Sequence, residues 1–148
     1  MSDRASLTPI STLRVSQHTI PKHGFIPNTS VQHIPLTIYH GAFTSPDLTA
    51  SQVESHIQSV GVCTPQRRYT MYSQTHFHST THELLVVSSG NAKLLFVEER
   101  VKKGDVILIP AGVGHRLPER SDRFEMVDSY PAGADKWDIC YGREGVEN

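Results

Sequence analysis

The chain has 148 residues, enough for one hydrophobic core and too few to divide comfortably into two domains. Its 14 Lys and Arg nearly balance its 15 Asp and Glu without blocks of one sign, so no nucleic-acid footprint and no charged membrane-binding face is expected. No apolar stretch approaches membrane-spanning length, and the polar start of the chain lacks the apolar core of a secretory signal, which predicts a cytoplasmic protein whose partner is a small molecule.

Residues 1–22 are rich in Ser, Thr and Pro with little periodicity, and are predicted to form a flexible arm or an irregular wrap. Residues 23–148 are then a single domain. A short strand is predicted from Leu36 to about Gly41, before a loop through Pro46 and Asp47. A helix follows: Thr49 can cap it with Gln52 as the third helical residue, and Leu48 and Val53 occupy the two positions of a hydrophobic staple. Its buried stripe is predicted as Val53, Ile57 and Val60, with Gly61 as a left-handed stop.

From residue 67 onward the composition turns to β character. Strands are predicted over 67–78, 83–89, 92–97, 105–109 and 124–130, punctuated at Gly90, Gly104 and residues 110–114. Short strands joined by tight turns argue for a sandwich or barrel. The segment after Pro131 reads as an irregular closing piece packed by Trp137, and Cys63 and Cys140, far apart in sequence, read as buried free thiols.

Nine histidines are the compositional oddity, because imidazole is the commonest transition-metal ligand. His18, His23, His33 and His40 lack close ligand spacing and read as surface or turn residues. The segment H-F-H-S-T-T-H-E, residues 76–83, is different. Residues two apart in a strand share a face, so His76 and His78 project together, and a bend over residues 79–81 can bring Glu83 opposite them. The hairpin alone leaves open a metal site or an exposed strand end.

Two motifs extend this pattern: H-x-H-x-x-x-x-E-x-x-x-x-x-x-G from His76 to Gly90, and G-x-x-x-x-x-P-x-G-x-x-H from Gly104 to His115. In order and spacing they resemble the paired motifs of the cupin superfamily. Thr70 stands where a glycine often precedes the first motif, and Glu119 where an asparagine often ends the second; neither position is a metal ligand. The short connection from Gly90 to Gly104, together with Phe25, Ile26, Pro27 and Asn28, Tyr130, Pro131 and Gly133, and Trp137 and Asp138, looks like small single-domain microbial and fungal cupins. That likeness spans about residues 24–142.

The resemblance implies an all-β double-stranded β-helix, the RmlC-like jelly-roll barrel, with one short helix. It also implies one divalent ion (Zn, Fe, Mn, Ni or Cu) on His76, His78, Glu83 and His115. The turn over residues 110–114 lets His115 point inward, in agreement. His82 and Glu83 compete for the carboxylate position; Glu83 lies the usual six residues before Gly90, and adjacent strand residues face opposite ways, so Glu83 is taken as the ligand.

Four protein ligands on an octahedral ion would leave two adjacent positions for substrate, water or dioxygen. If the strand before His76 runs without a bulge, Arg68, Tyr72 and Gln74 share its inward parity and line the pocket. Cupins host dioxygenases, decarboxylases, isomerases and lyases, and also binding proteins. The expectation is a metal-dependent enzyme on a small organic metabolite, with a non-catalytic metal-containing binding protein or a metal-free acid–base barrel as alternatives. The resemblance further implies a homodimer.

Overall fold

The computed structural model describes residues 5–71, 74–97, 99–134 and 136–142. Those residues form β1 (Arg14–His18), β2 (Leu36–His40), α1 (Ala50–Val60), β3 (Cys63–Tyr69), β4 (Glu83–Ser89), β5 (Asn91–Lys93), β6 (Arg100–Lys102), β7 (Val106–Ile109), β8 (Glu119–Arg120) and β9 (Glu125–Pro131). The strands pair antiparallel in two sheets, ordered β1-β2-β7-β4-β9-β3 and β6-β5-β8. The expected class, all-β with one helix, is the one observed.

The core lies where alternating apolar residues of β2, β4, β7 and β9 face the smaller sheet. Leu36, Ile38, Leu85, Val87, Ile107, Ile109 and Met126 pack there with Ala92 and Val101. Burying each large aliphatic side chain contributes roughly 1.5–3 kcal/mol. The opposite face of the large sheet carries α1, whose Val53 and Ile57 join Leu48, Val86 and Val127.

The helix follows its sequence signals. Gln52 N donates to Thr49 Oγ1 at 3.2 Å, Thr49 N donates to Gln52 Oε1 at 3.1 Å, and Gly61 ends the helix at φ 80°. Val60 departs from the expected stripe: it is 59% exposed, in the last turn, and lines an open apolar cavity with Ile10 and Val62. Both cysteines are thiols outside any disulfide, with Cys140 buried and Cys63 half-buried. Among the described residues no helix is long and apolar enough to cross a membrane.

Three strand boundaries differ from expectation for identifiable reasons. Residues 14–18, read as part of a loose arm, form the outermost strand, with Ser16 opposite Ile38 and His18 opposite Leu36. Their sequence shows no apolar alternation because the strand is an edge held by main-chain bonds and by Glu99, which accepts from Ser16 Oγ at 2.5 Å and lies 3.1 Å from His18 Nε2. Strand β3 starts at Cys63 and ends at Tyr69, earlier than expected at both ends. It contains Pro65, which an edge strand tolerates, and its register against β9 shifts between Pro65 and Arg67. Strand β5 stops at Lys93 because the chain turns through Phe96 at φ 65°.

Two motif glycines are demanded by close approach as well as by positive φ. A Cβ on Gly90 would stand 2.5 Å from Ser121 Oγ and 2.9 Å from Phe124 Cα, and one on Gly104 would stand 2.4 Å from Phe43 O. Asp105, buried beside Gly104, accepts from Gly41 N and Lys102 N, each at 2.8 Å. This turn anchors β7, and so the segment leading to His115.

Candidate metal centre

His76 and His115 form an isolated antiparallel bridge, with His115 N donating to His76 O at 2.8 Å and His76 N donating to His115 O at 3.3 Å. Residues paired this way show their side chains on the same face, and the two ring centroids are 4.2 Å apart. His78, two residues on, keeps that face, and Gly112 N donates to its carbonyl at 2.8 Å. The turn before His115 is pinned by fully buried Asn28, whose Oδ1 accepts from Gly114 N at 2.9 Å and whose N donates to Gly112 O at 2.9 Å.

Each imidazole is oriented by a main-chain carbonyl at Nδ1: Gln74 O at 3.1 Å for His76, Asp138 O for His78, and Val113 O at 2.9 Å for His115. A carbonyl only accepts, so Nδ1 carries a proton in each ring, and a ring in its neutral form presents its lone pair at Nε2. The three rings are 0–2% exposed, and their ligand atoms all lie within 4.8 Å of one another. His115 Nε2, fully enclosed, has no hydrogen-bond partner. Converging lone pairs repel each other unless a cation sits among them, so this buried cluster can hold a metal ion.

Glu83 opens β4 opposite Ile109 and is 1% exposed. Its Oε2 lies 3.0 Å from His78 Nε2 and its Oε1 3.9 Å from His115 Nε2. Donors about 2.1 Å from one ion stand about 3 Å apart at right angles and about 4.2 Å apart when opposite, so these separations fit a shared centre. Tyr130 Oη donates to Oε2 at 2.5 Å, and Tyr69 Oη to Oε1 at 3.4 Å.

The electrostatics suit the same role. Burial would raise the Glu83 carboxyl, but His78, His115 and the Tyr130 hydroxyl outweigh it and hold it near about 2. Burial pulls His115 down to about 4 and also lowers His76. Burial works the same way on His78, yet the neighbouring Glu83 carboxylate prevails and raises it. Three imidazole nitrogens and one ionised carboxylate form a mixed N/O donor set suited to Zn, Fe, Mn, Ni or Cu, with no thiolate.

A second polar group adjoins this one. Fully buried Asp128 accepts from Arg67 N at 2.9 Å and Arg67 Nε at 3.0 Å. The Arg67 guanidinium lies 4.0 Å above the Tyr69 ring and 5.4 Å from the Trp137 ring. Trp137 stacks on Tyr130 and meets His78 edge-on at 5.6 Å. Asp138 fastens this wall, its carboxylate accepting from Ser79 N at 2.7 Å and from Ser79 Oγ.

The structure thus brings His76, His78, Glu83 and His115 together. It does not bring Arg68 or Gln74 into the pocket. Arg68 turns outward to α1, donating to Glu54 Oε1 at 2.5 Å and Ser51 Oγ at 3.0 Å. Gln74 is exposed and contributes its carbonyl to His76. Tyr72 lies outside the described residues. Strand parity does not carry through to His76 because β3 ends at Tyr69, seven residues before the isolated bridge of His76 with His115. Arg67 and Tyr69 face inward instead, and they were missed together with Asp128 and Tyr130. A signal existed: an aspartate inside the apolar run M-V-D-S-Y is costly to bury without a cation. His82 accepts from Ala111 N at 2.9 Å through Nδ1, and Glu119 pairs with Arg100 at 2.7 Å on the surface.

Comparison with known proteins converges on the same family. The family model described as "Cupin domain" matches residues 70–129, a stretch that contains both motifs. The chain is also 31% identical over 128 residues to "Uncharacterized protein YjlB" of Bacillus subtilis (strain 168), covering 83% of this chain and 73% of the relative. On motif spacing, fold and these two matches, the chain belongs to the cupin superfamily.

Proposed function

We propose that this chain is a mononuclear divalent-metal cupin, with His76, His78, Glu83 and His115 holding one ion of Zn, Fe, Mn, Ni or Cu, and that it is an enzyme acting on a small organic metabolite. The observation that carries this reading is the orientation of the imidazoles: three buried rings are each fixed at Nδ1 by a main-chain carbonyl, so their Nε2 atoms face one point. When bound, such an ion supplies Lewis-acid polarisation or, if redox-active, oxygenase chemistry. The chain's own residues fix the donors and limit water. Tyr130 and Tyr69 hold Glu83 in place, and Trp137 walls one side.

Elemental analysis of tag-free protein made in metal-supplemented medium tests the first part, with close to one ion per chain expected and loss on chelation. Protein that folds yet stays empty with all five metals would refute it. Oxygen uptake and product analysis with small oxyacids and phenolic compounds test the second part. Stoichiometric retention of a metabolite without turnover would move the reading to a metal-containing binding protein. We also propose a homodimer, supported by the position of β1 at the edge of the large sheet. Light scattering at micromolar concentration is expected to give twice the 16.5 kDa chain mass.

A further inference from the structure

The outer face of the large sheet carries an apolar groove of about 470 Å3 that the metal centre does not use. Its floor is half-buried Tyr39, Leu84 and Val106, from β2, β4 and β7. Leu7, Ile10, Val60 and Val62 also line it. Val15 flanks it, because it stands opposite Tyr39 across the β1–β2 ladder and shares that face. Five of the ten exposed large apolar residues among those described therefore gather here, each 45–91% exposed. Single apolar residues scattered over a surface are ordinary, whereas a contiguous patch marks a contact. Among the described residues no Asp, Glu, Lys or Arg lines the groove, as in the core of a protein interface.

The area and the shape both fit a second copy of this chain. The five exposures amount to about three wholly exposed aliphatic residues, and with the half-buried floor they offer on the order of 500 Å2 of apolar surface. A stable interface buries about 800 Å2 per partner, roughly 60% of it apolar. One face of one chain thus supplies the apolar share of a dimer contact. A two-fold axis further requires that the same patch carry both a projection and a recess. Ile10, 91% exposed, is the projection, and the groove beside it is the recess. A small apolar ligand would fill the recess and leave Ile10 in water; a second copy covers both. The projection is also ordered in advance: Thr8 N donates to Ala42 O at 2.9 Å, Thr44 N to Ser6 O at 2.8 Å and Thr8 Oγ1 to Gly41 O at 2.6 Å, which lowers the cost of association.

We infer that this groove is the contact face of a two-fold symmetric homodimer, with Ile10 of each copy seated in the groove of the other. This rests on the dimer reading above and assigns residues to it. Leu84, in the floor, follows Glu83 on β4 and points to the opposite face, so the second copy buttresses the strand that carries the carboxylate.

The test is light scattering of the full chain over a dilution series through the micromolar range. Wild type is expected at twice the 16.5 kDa chain mass. A symmetric contact holds each residue twice, so Ile10→Glu or Val62→Glu places two charges in it and is expected to raise the dimer dissociation constant about a hundredfold. Phe25→Glu, at an exposed apolar residue outside the groove, is expected to leave it unchanged. Far-ultraviolet circular dichroism checks the fold of each variant; if Val62→Glu does not fold, the nearly fully exposed Ile10 against Phe25 decides. A wild-type dimer that Ile10→Glu leaves intact, or that Phe25→Glu splits as readily, overturns the inference and leaves the dimer reading standing. A monomeric wild type overturns both.

Discussion

His115 is enclosed on all sides, and its ring is fixed through Nδ1 by Val113 O, so removing the ring takes away one donor while the paired main chain stays in place. His115→Ala is expected to lower zinc affinity by about a hundredfold or more, since even outer partners of a ligand are worth 10–100-fold. Far-ultraviolet circular dichroism should remain native. The neighbours His82 and Glu83 give a sharper comparison. Glu83 lies 3.0 Å from His78 Nε2, whereas His82 is engaged with Ala111 N on the other side of the strand. Glu83→Ala should therefore abolish tight metal binding, and His82→Ala should leave it within a few fold in a metal titration. The reverse result would mean that the carboxylate does not belong to the centre.

At the scale of elements, the junction between β1, β2 and the start of β6 is tied by one carboxylate. Glu99 accepts from Ser16 Oγ, contacts His18 Nε2 and His40 Nε2, and pairs with Arg14 at 3.3 Å. The Ser16 hydroxyl bond, together with the two histidines and Arg14 and against a weaker effect of burial, holds Glu99 down to about 2 from an ordinary 4.5. A carboxyl depressed in the folded state stabilises fully above its unfolded value and loses that contribution as pH falls through its folded one. The wild type should thus lose more stability than Glu99→Gln between pH 4.5 and 2, as urea midpoints across that window would show. Equal losses would mean that the junction is held by its main-chain ladder alone.

The elements differ in how far they could be read beforehand, and the reason is local chemistry. Helix α1 carries its own start and stop in Thr49, Gln52 and Gly61, and β4 is an apolar run closed by Gly90. Strand β1 and the short β6 and β8 carry mostly polar residues at exposed positions, so periodicity has nothing to register. Strand β3 was misplaced because a proline argues against a strand and becomes tolerable only at a sheet edge, a fact of topology. The error carried into the site: Arg68 was assigned the inward face that Arg67 occupies.

For the whole molecule, the centre joins segments that are distant in sequence. The candidate donors and their spacing were legible, because H-x-H alternation and the two motif glycines are local demands of the backbone. The support was not: Asp128, Tyr130 and Asp138 reach the site through sheet pairing and loop docking that no spacing rule announces. An ion bridging these segments stabilises the folded state alone, by about 4 kcal/mol at a thousandfold excess over its dissociation constant. For a domain of this size that corresponds to a rise in melting temperature on the order of 10 °C. Differential scanning calorimetry of zinc-loaded and chelated protein should show it, and His115→Ala should show little of it.

The carbonyl that orients His78 belongs to Asp138, 60 residues further along the chain, and the same late segment supplies the Cys140 bridge to Phe77. During synthesis all three imidazoles therefore leave the ribosome well before the group that fixes one of them. A nascent chain stalled between His115 and Asp138 already carries every proposed ligand, but His78 is still free to rotate. The orientation of His78 is consequently an event that waits for the segment carrying Asp138 to dock, however early the three imidazoles are made.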